Sequence, residues 1–239
     1  METNIINFIE KIDVTNFALV IPSVAVGNVG QLTIDMLITS YHFKKYATVW
    51  HPAIIPTAGG DPFFEDPVAV STACELFVHE DLQLVVMQIR SGLESNLALS
   101  FIQNLKTALT PFHFKQVIIL SSAFAYELHN VTSSHFRYVS DDNVTRFQDL
   151  NVPRLEKDAD GEYTIYGGGY ATSLYNSLRD SYSCTILFKY TSEGDNRPDA
   201  FEMLKILCNY LQFSPTTTTI VYPNSWKYAF GNPPPLGIY

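Results

Sequence analysis

The chain has 239 residues, 46% of them hydrophobic and 13% aromatic, which excludes a disordered composition and leaves enough apolar mass for a sizeable core. Its formal net charge is −9 and no run of five basic residues occurs. Nucleic acid is therefore excluded as a main partner, because neutralising phosphates takes clustered Lys and Arg, and no apolar stretch reaches the length of a membrane span.

The N-terminal stretch METNIINFIEKID carries Glu2, Glu10 and Asp13 and lacks the apolar core of a secretory leader, so an intracellular setting is expected. FALVI (Phe17 to Ile21) reads as a short strand. Gly30 to Phe43 carries Leu32, Met36, Leu37 and Tyr41 at helical spacing. ATVWH reads as a strand, and PAIIPTAGGDPFFEDP as a loop broken by proline and glycine. VAVSTACELFVH and LQLVVMQIR read as two strands of a hairpin turning at Glu80 and Asp81. LALSFIQNLKTALTPF is a helix that stops near Pro111, and QVIILSS a buried strand. Between Ala123 and Ile165 the pattern weakens, with strand-like pieces at FRYV and EYTIY. YATSLYNSLRD is a helix, SCTILFKY a strand and FEMLKILCNYLQF the last long helix. Apolar strands separated by helices predict an α/β fold with a mixed, largely parallel sheet covered on both faces, a three-layer sandwich. The expected organisation is one domain over 1–213, with an insertion around 123–165, and a Pro-rich tail over 214–239. Trp226, in NSWKYAF, reads as an anchor of that tail to the body.

Cys74, Cys184 and Cys208 are far apart and odd in number, which suits reduced thiols, and Cys184, in an apolar strand-like run, and Cys208, on a helix, read as buried. The two NVT sequons at Asn130 and Asn143 read as chance matches in an intracellular chain. None of the six histidines forms an HxH or HExxH pair, so no metal centre is expected. No GxSxG elbow occurs. Ser121 and Ser122 end a strand where open α/β sheets place active sites, but no His or Asp can be tied to them.

Two glycine-rich stretches precede helices. Val24 to Leu32 (VAVGNVGQL) follows a strand, the position of a phosphate-cradling loop, but lacks both a third fingerprint glycine and the Lys-Ser/Thr of a P-loop. The plainer reading is that Gly27 and Gly30 permit a tight turn and close helix packing. Tyr166 to Tyr175 (YGGGYATSLY) offers the same pair of readings. A third stretch, Glu193-Gly194-Asp195-Asn196-Arg197-Pro198-Asp199-Ala200, concentrates carboxylates. Here Pro198 fits a first helical turn, Asn196 can cap it, and Asp199 and Glu202 favour its positive end. Helix punctuation accounts for these residues better than catalysis does.

PSVAVGNVGQLTIDML, VIILSSAFAY, FRYV, GGGYATSLY, KYTSEGDNRPDA and SWKYAFGNPPP recur in one order, and with them the chain resembles the proteasome assembly chaperone family from about Phe17 to its end. The family motif falls here on Gly27, Asn28, Gly30, Gln31, Glu193, Gly194, Asp195, Asn196, Pro198 and Asp199. The resemblance implies a sandwich similar to nucleoside phosphorylases without their activity, hence no catalytic residues and no cofactor. It implies a heterodimer with proteasome assembly chaperone 1 that holds proteasome α subunits, builds the 20S α-ring and blocks off-pathway association, in cytoplasm and nucleus. It also implies a C-terminal tail entering pockets between α subunits, which falls here on Leu236, Gly237, Ile238 and Tyr239. The family pattern places Tyr next to last; here Tyr239 is last, a departure. Two alternatives stand beside this: a homodimeric binding module, and a nucleosidase or phosphorylase-like enzyme with a phosphate or ribose site at Gly27 to Gly30 and an acid at Glu193 or Asp195.

Overall fold

A computed structural model describes residues 4–64, 68–130, 132–142, 144–213 and 219–228. In chain order the elements are β1 (Ile6–Phe8), β2 (Ala18–Pro22), α1 (Val29–Tyr41), β3 (Lys44–Val49), β4 (Ala58–Gly60), β5 (Val70–Thr72), β6 (Cys74–His79) and β7 (Leu84–Ile89). They continue with α2 (Ala98–Leu109), β8 (Gln116–Phe124), β9 (Phe136–Ser140), α3 (Thr145–Asp149), α4 (Ala171–Leu178), β10 (Cys184–Thr191) and α5 (Arg197–Leu211). Eight strands form one mixed sheet in the order β1-β3-β6-β7-β2-β8-β10-β9, and β4 pairs with β5 apart from it. The central strands β7, β2, β8 and β10 run parallel; the flanking pairs are antiparallel.

Alternation along the central strands builds two cores. Leu19 and Ile21 of β2, Val117 and Ile119 of β8, and Ile186 and Phe188 of β10 pack with α2 and α4 on one face. Ala18 and Val20, Ile118 and Leu120, and Leu187 pack with α1 and α5 on the other. This is the expected three-layer arrangement: strands buried on both faces read as continuous apolar runs. Each fully buried Leu or Ile contributes roughly 1.5–3 kcal/mol. The β6–β7 hairpin forms in register from Cys74↔Ile89 to His79↔Leu84 and turns at Glu80, as expected. The helix expected to stop near Pro111 ends at Leu109, followed by a 3-10 turn over Thr110–Phe112.

FRYV is an edge strand, antiparallel to β10. EYTIY is not a strand. Asp158 accepts hydrogen bonds from the backbone N–H of Asp160 and Glu162 and from the Thr164 hydroxyl, and Gly161 turns at φ +81°. That local ring holds the backbone away from a ladder, while Tyr163 and Ile165 still reach the core on the α2/α4 side. The short helix α3 was not expected; its Phe147 is fully buried, stacked on Tyr210 at 4.3 Å.

Candidate functional site

The three sequence motifs meet at the C-terminal ends of β2, β8 and β10. After β2 the chain makes a 3-10 turn over Val26–Asn28, with Gly27 at φ +67° and Asn28 at φ 52°. Gly30 opens α1 against the sheet, and a Cβ there would lie 2.8 Å from the Leu120 carbonyl oxygen. The second glycine loop locks onto the first. Val26 N–H donates to Gly167 O at 2.9 Å, and Ser23 Oγ donates to Gly168 O at 2.8 Å while accepting the Tyr170 N–H at 2.9 Å. A Cβ at Gly169 would lie 1.9 Å from Val24 O, so only glycine fits that seam. Ser121 Oγ donates to Gly168 O and Ser122 Oγ to Val26 O, and both serines are fully buried. Their hydroxyls are tied to the loops as fasteners, a role the sequence did not reveal.

The segment after β10 closes the same edge. Asn196 is buried, and its Nδ2 donates to Thr191 Oγ1 (2.8 Å), Ser192 O (2.8 Å) and Asp199 Oδ2 (3.0 Å). Its carboxamide lies over Gly27, 2.7 Å from where a Cβ would stand. Asn196 occupies the position expected of the helix cap, but its side chain caps nothing. The cap is Asp195: its Oδ1 accepts the Arg197 N–H at 3.2 Å, and its carboxylate takes a fork from Arg197 Nε (2.8 Å) and Nη2 (2.7 Å). The Arg197 hydrogen bond holds the Asp195 carboxyl below its ordinary range. Pro198 sits in the first helical turn, as expected. Gly194 has φ +152°, which disfavours any side chain. Glu193 is exposed, with no hydrogen bond or ion pair among the described residues.

Lys189 went unnoticed in the sequence because it ends an apolar strand. It is buried, and its Nζ contacts Asp199 Oδ1 and Glu202 Oε2, the latter at 2.7 Å. Asp199 also accepts from Thr191 Oγ1 at 3.1 Å. Beside α1, Gln88 Nε2 donates to Gln31 O (2.8 Å) and Asp35 Oδ1 (2.5 Å), and Arg90 Nη2 donates to Asp35 Oδ1 (2.7 Å). A lone carboxylate on the apolar helix GQLTIDML was the readable signal for that cluster.

The loops bind mostly to one another, while the buried Asn196 Oδ1 and Gln31 Oε1 have no hydrogen-bond partner among the described residues. The serine hydroxyls donate to the loops' own backbone, and burial pushes the Cys184 and Cys208 thiols up to about 12 and Cys74 further in the same direction. Among the described residues no three His, Cys, Asp or Glu side chains could hold a metal, and no helix is long and apolar enough to cross a membrane. Trp226 packs partly buried against the α1/α5 core, with Val221 N–H bonded to Ser40 Oγ at 2.9 Å and Ser225 N–H to Pro62 O at 3.1 Å. Contacts from within residues 219–228 thus reach the α1/α5 side of the sheet; Leu236, Gly237, Ile238 and Tyr239 lie outside the described residues.

A model of the PAC2 family matches residues 19–219. The chain belongs to the PAC2 family. The matched residues take in both glycine loops and the 193–199 segment. The chain is 32% identical to "Proteasome assembly chaperone 2" of Danio rerio, over 92% of this chain and 94% of that one, and 29% identical to the Homo sapiens protein of that name, over 94% and 96%. Among solved structures it resembles Pyrococcus furiosus PbaA, "an archaeal homolog of proteasome-assembly chaperone" (TM-score 0.69, 15% identity, 87% of each chain). It also resembles Pyrococcus furiosus PbaB, "an archaeal proteasome activator" (TM-score 0.64, 12% identity, 87% of this chain and 89% of that one). At those identities the likeness is one of fold: this α/β sandwich is the PAC2-family fold.

Proposed function

We propose that this chain is a non-catalytic proteasome assembly chaperone. It pairs with proteasome assembly chaperone 1, and the pair scaffolds the 20S α-ring and prevents off-pathway association of α subunits, in cytoplasm and nucleus. The observation that carries the reading is the match over 92% of the chain to a relative named for proteasome assembly. The non-catalytic half is supported by the C-terminal sheet edge, where Ser23, Ser121, Ser122 and Asn196 spend their donors on the protein's own backbone and side chains. The Gly27 motif and the Glu193 to Asp199 motif then serve as the latch of a scaffold, with Asn28, Gly30 and Gln31 opening α1 behind it.

In this reading residues 1–213 are the body and 214–239 the tail. Leu236 to Tyr239 supply an apolar anchor and a terminal carboxylate for an α-ring pocket, and the preceding Pro233, Pro234 and Pro235 keep the approach extended at little entropic loss. The test is co-expression with proteasome assembly chaperone 1 and tagged α subunits. Co-purification of the chaperone pair with α subunits and few β subunits is the expected result. Recovery of this chain only as a folded homodimer would overturn it.

A further inference from the structure

On the α1/α5 face, β3 and β6 are roofed by the excursion that carries β4 and β5. The Phe63 ring meets the Phe77 ring edge-on at 5.4 Å, and Lys45 Nζ donates to Val70 O at 2.5 Å. Between roof and sheet lies a pocket of about 240 Å³. Phe43 and Phe77 line it from the sheet, and Pro62, Phe63 and Phe64 from the roof. An apolar cavity of about 150 Å³ holds a benzene ring, so this pocket takes a phenol ring and a short aliphatic side chain. Its polar side is Glu75, which accepts from Lys45 Nζ at 2.6 Å, the Thr72 N–H at 2.8 Å and the Ser71 hydroxyl at 3.2 Å. Lys45 is partly exposed, and its ammonium spends two of its three donors, on Glu75 and Val70. The end of the chain sets out from the rim of this pocket: Ser225 N–H donates to Pro62 O at 3.1 Å. Eleven residues follow Tyr228 (239 − 228), a reach of about 35 Å when extended, enough to leave the rim and come back. Their sequence suits a return. Gly231-Asn232 is a turn pair, Pro233, Pro234 and Pro235 make a stiff strut of about 9 Å, and the apolar Ile238 and Tyr239 come last.

We propose that this pocket is a berth for the chain's own C-terminus. The Tyr239 ring and the Ile238 side chain enter among the phenylalanines, and the terminal carboxylate takes the third donor of Lys45. The tether presents that end at a millimolar effective concentration, so modest contacts hold it. Berthing hides an apolar end from other proteins until a tighter pocket competes for it. The docking is intramolecular and is decided on the isolated chain, apart from the chaperone reading.

The test uses the full-length chain with Gly237→Cys carrying a nitroxide; the three native thiols are buried and stay unlabelled. The spin label broadens amides of 43–45, 61–64 and 70–77, and adding Ile238→Asp to the labelled chain abolishes that broadening. The free peptide acetyl-Pro-Pro-Pro-Leu-Gly-Ile-Tyr shifts the same amides saturably in a chain lacking Leu236 to Tyr239. It binds the full-length chain about tenfold more weakly, because the tethered end competes. Amidating its terminus weakens it about threefold, the value of an exposed ion pair. No broadening at the pocket, equal peptide affinity for the two chains, or equal binding of the amidated peptide would overturn the proposal. So would broadening that arises only when spin-labelled chains are mixed with isotope-labelled ones, which would seat a second copy's tail there.

Discussion

The Asn196 carboxamide lies over Gly27, so that a Cβ on residue 27 would stand 2.7 Å from Asn196 Cγ. Two loops 169 positions apart are thereby latched (196 − 27), one after β2 and one after β10. Gly27→Ala is expected to lose about 2 kcal/mol, from the left-handed backbone and the clash together. Asn196→Ala alone loses roughly 1–3 kcal/mol by stranding its partners. In urea unfolding the double variant should be less destabilised than the sum of the singles, because the clash is gone. Simple additivity would show that the two loops do not press on each other.

Lys189 and Glu202 share an ion pair but differ in exposure, at 5% and 57% of the side chain. Lys189→Met removes the cation buried beside Asp199 and is expected to cost about 3 kcal/mol. Glu202→Gln, at the wet end of the same pair, should change stability by less than about 1 kcal/mol. Equal effects in chemical denaturation would mean that the amine is not the centre of the network.

Burial raises all three thiols, Cys184 and Cys208 to about 12. The folded state thus favours the neutral thiol. That contribution is whole below the unfolded value of about 8.5 and is lost as pH rises from there toward the folded values. At pH 8 a chromogenic disulfide reagent should find the native protein inert and then titrate all three thiols on unfolding. Rapid labelling of the native protein would contradict this burial.

His51 is buried; its Nδ1 accepts the Ala53 N–H at 3.0 Å, and its Nε2 lies 3.0 Å from Asn104 Nδ2. Burial lowers its pKa below the ordinary 6.5. The folded state therefore favours the neutral ring: the stabilisation is present above about 6.5 and is lost as pH falls through the folded value. Between pH 7 and 5 the native protein should lose more of its melting temperature than His51→Gln does. An identical loss would remove His51 from the acid response.

Deleting Leu236 to Tyr239 is expected to weaken binding of the chaperone pair to α-rings while sparing the pair itself. Co-sedimentation with α-rings and gel filtration of the pair read the two effects separately. Unchanged α-ring binding would take the tail out of the mechanism.

The central strands and α1, α2, α4 and α5 were legible because period alone fixes them: continuous apolar runs for strands buried on both faces, helical spacing for the covering helices. What failed failed through side-chain bonds to local backbone, which periodicity cannot see. Asp158 curls EYTIY into a loop. Asp195 takes the capping role expected of Asn196, which turns inward to the glycine loop instead. Gly27 was legible as a turn former, with φ +67°, and Gly30 as a close-packing residue, since a Cβ there would lie 2.8 Å from the Leu120 carbonyl oxygen. Lys189 and the Asp35–Gln88–Arg90 cluster were not, because their partners come from other elements and only the tertiary fold joins them.

The central claim is most directly tested by native electrophoresis of recombinant α subunits, with and without the full-length chain and proteasome assembly chaperone 1. The account predicts one pair-bound α-ring species and fewer off-pathway assemblies when the pair is present. An unchanged α-subunit pattern, with phosphate or a nucleoside raising the melting temperature of this chain, would contradict it and point to a ligand-binding enzyme.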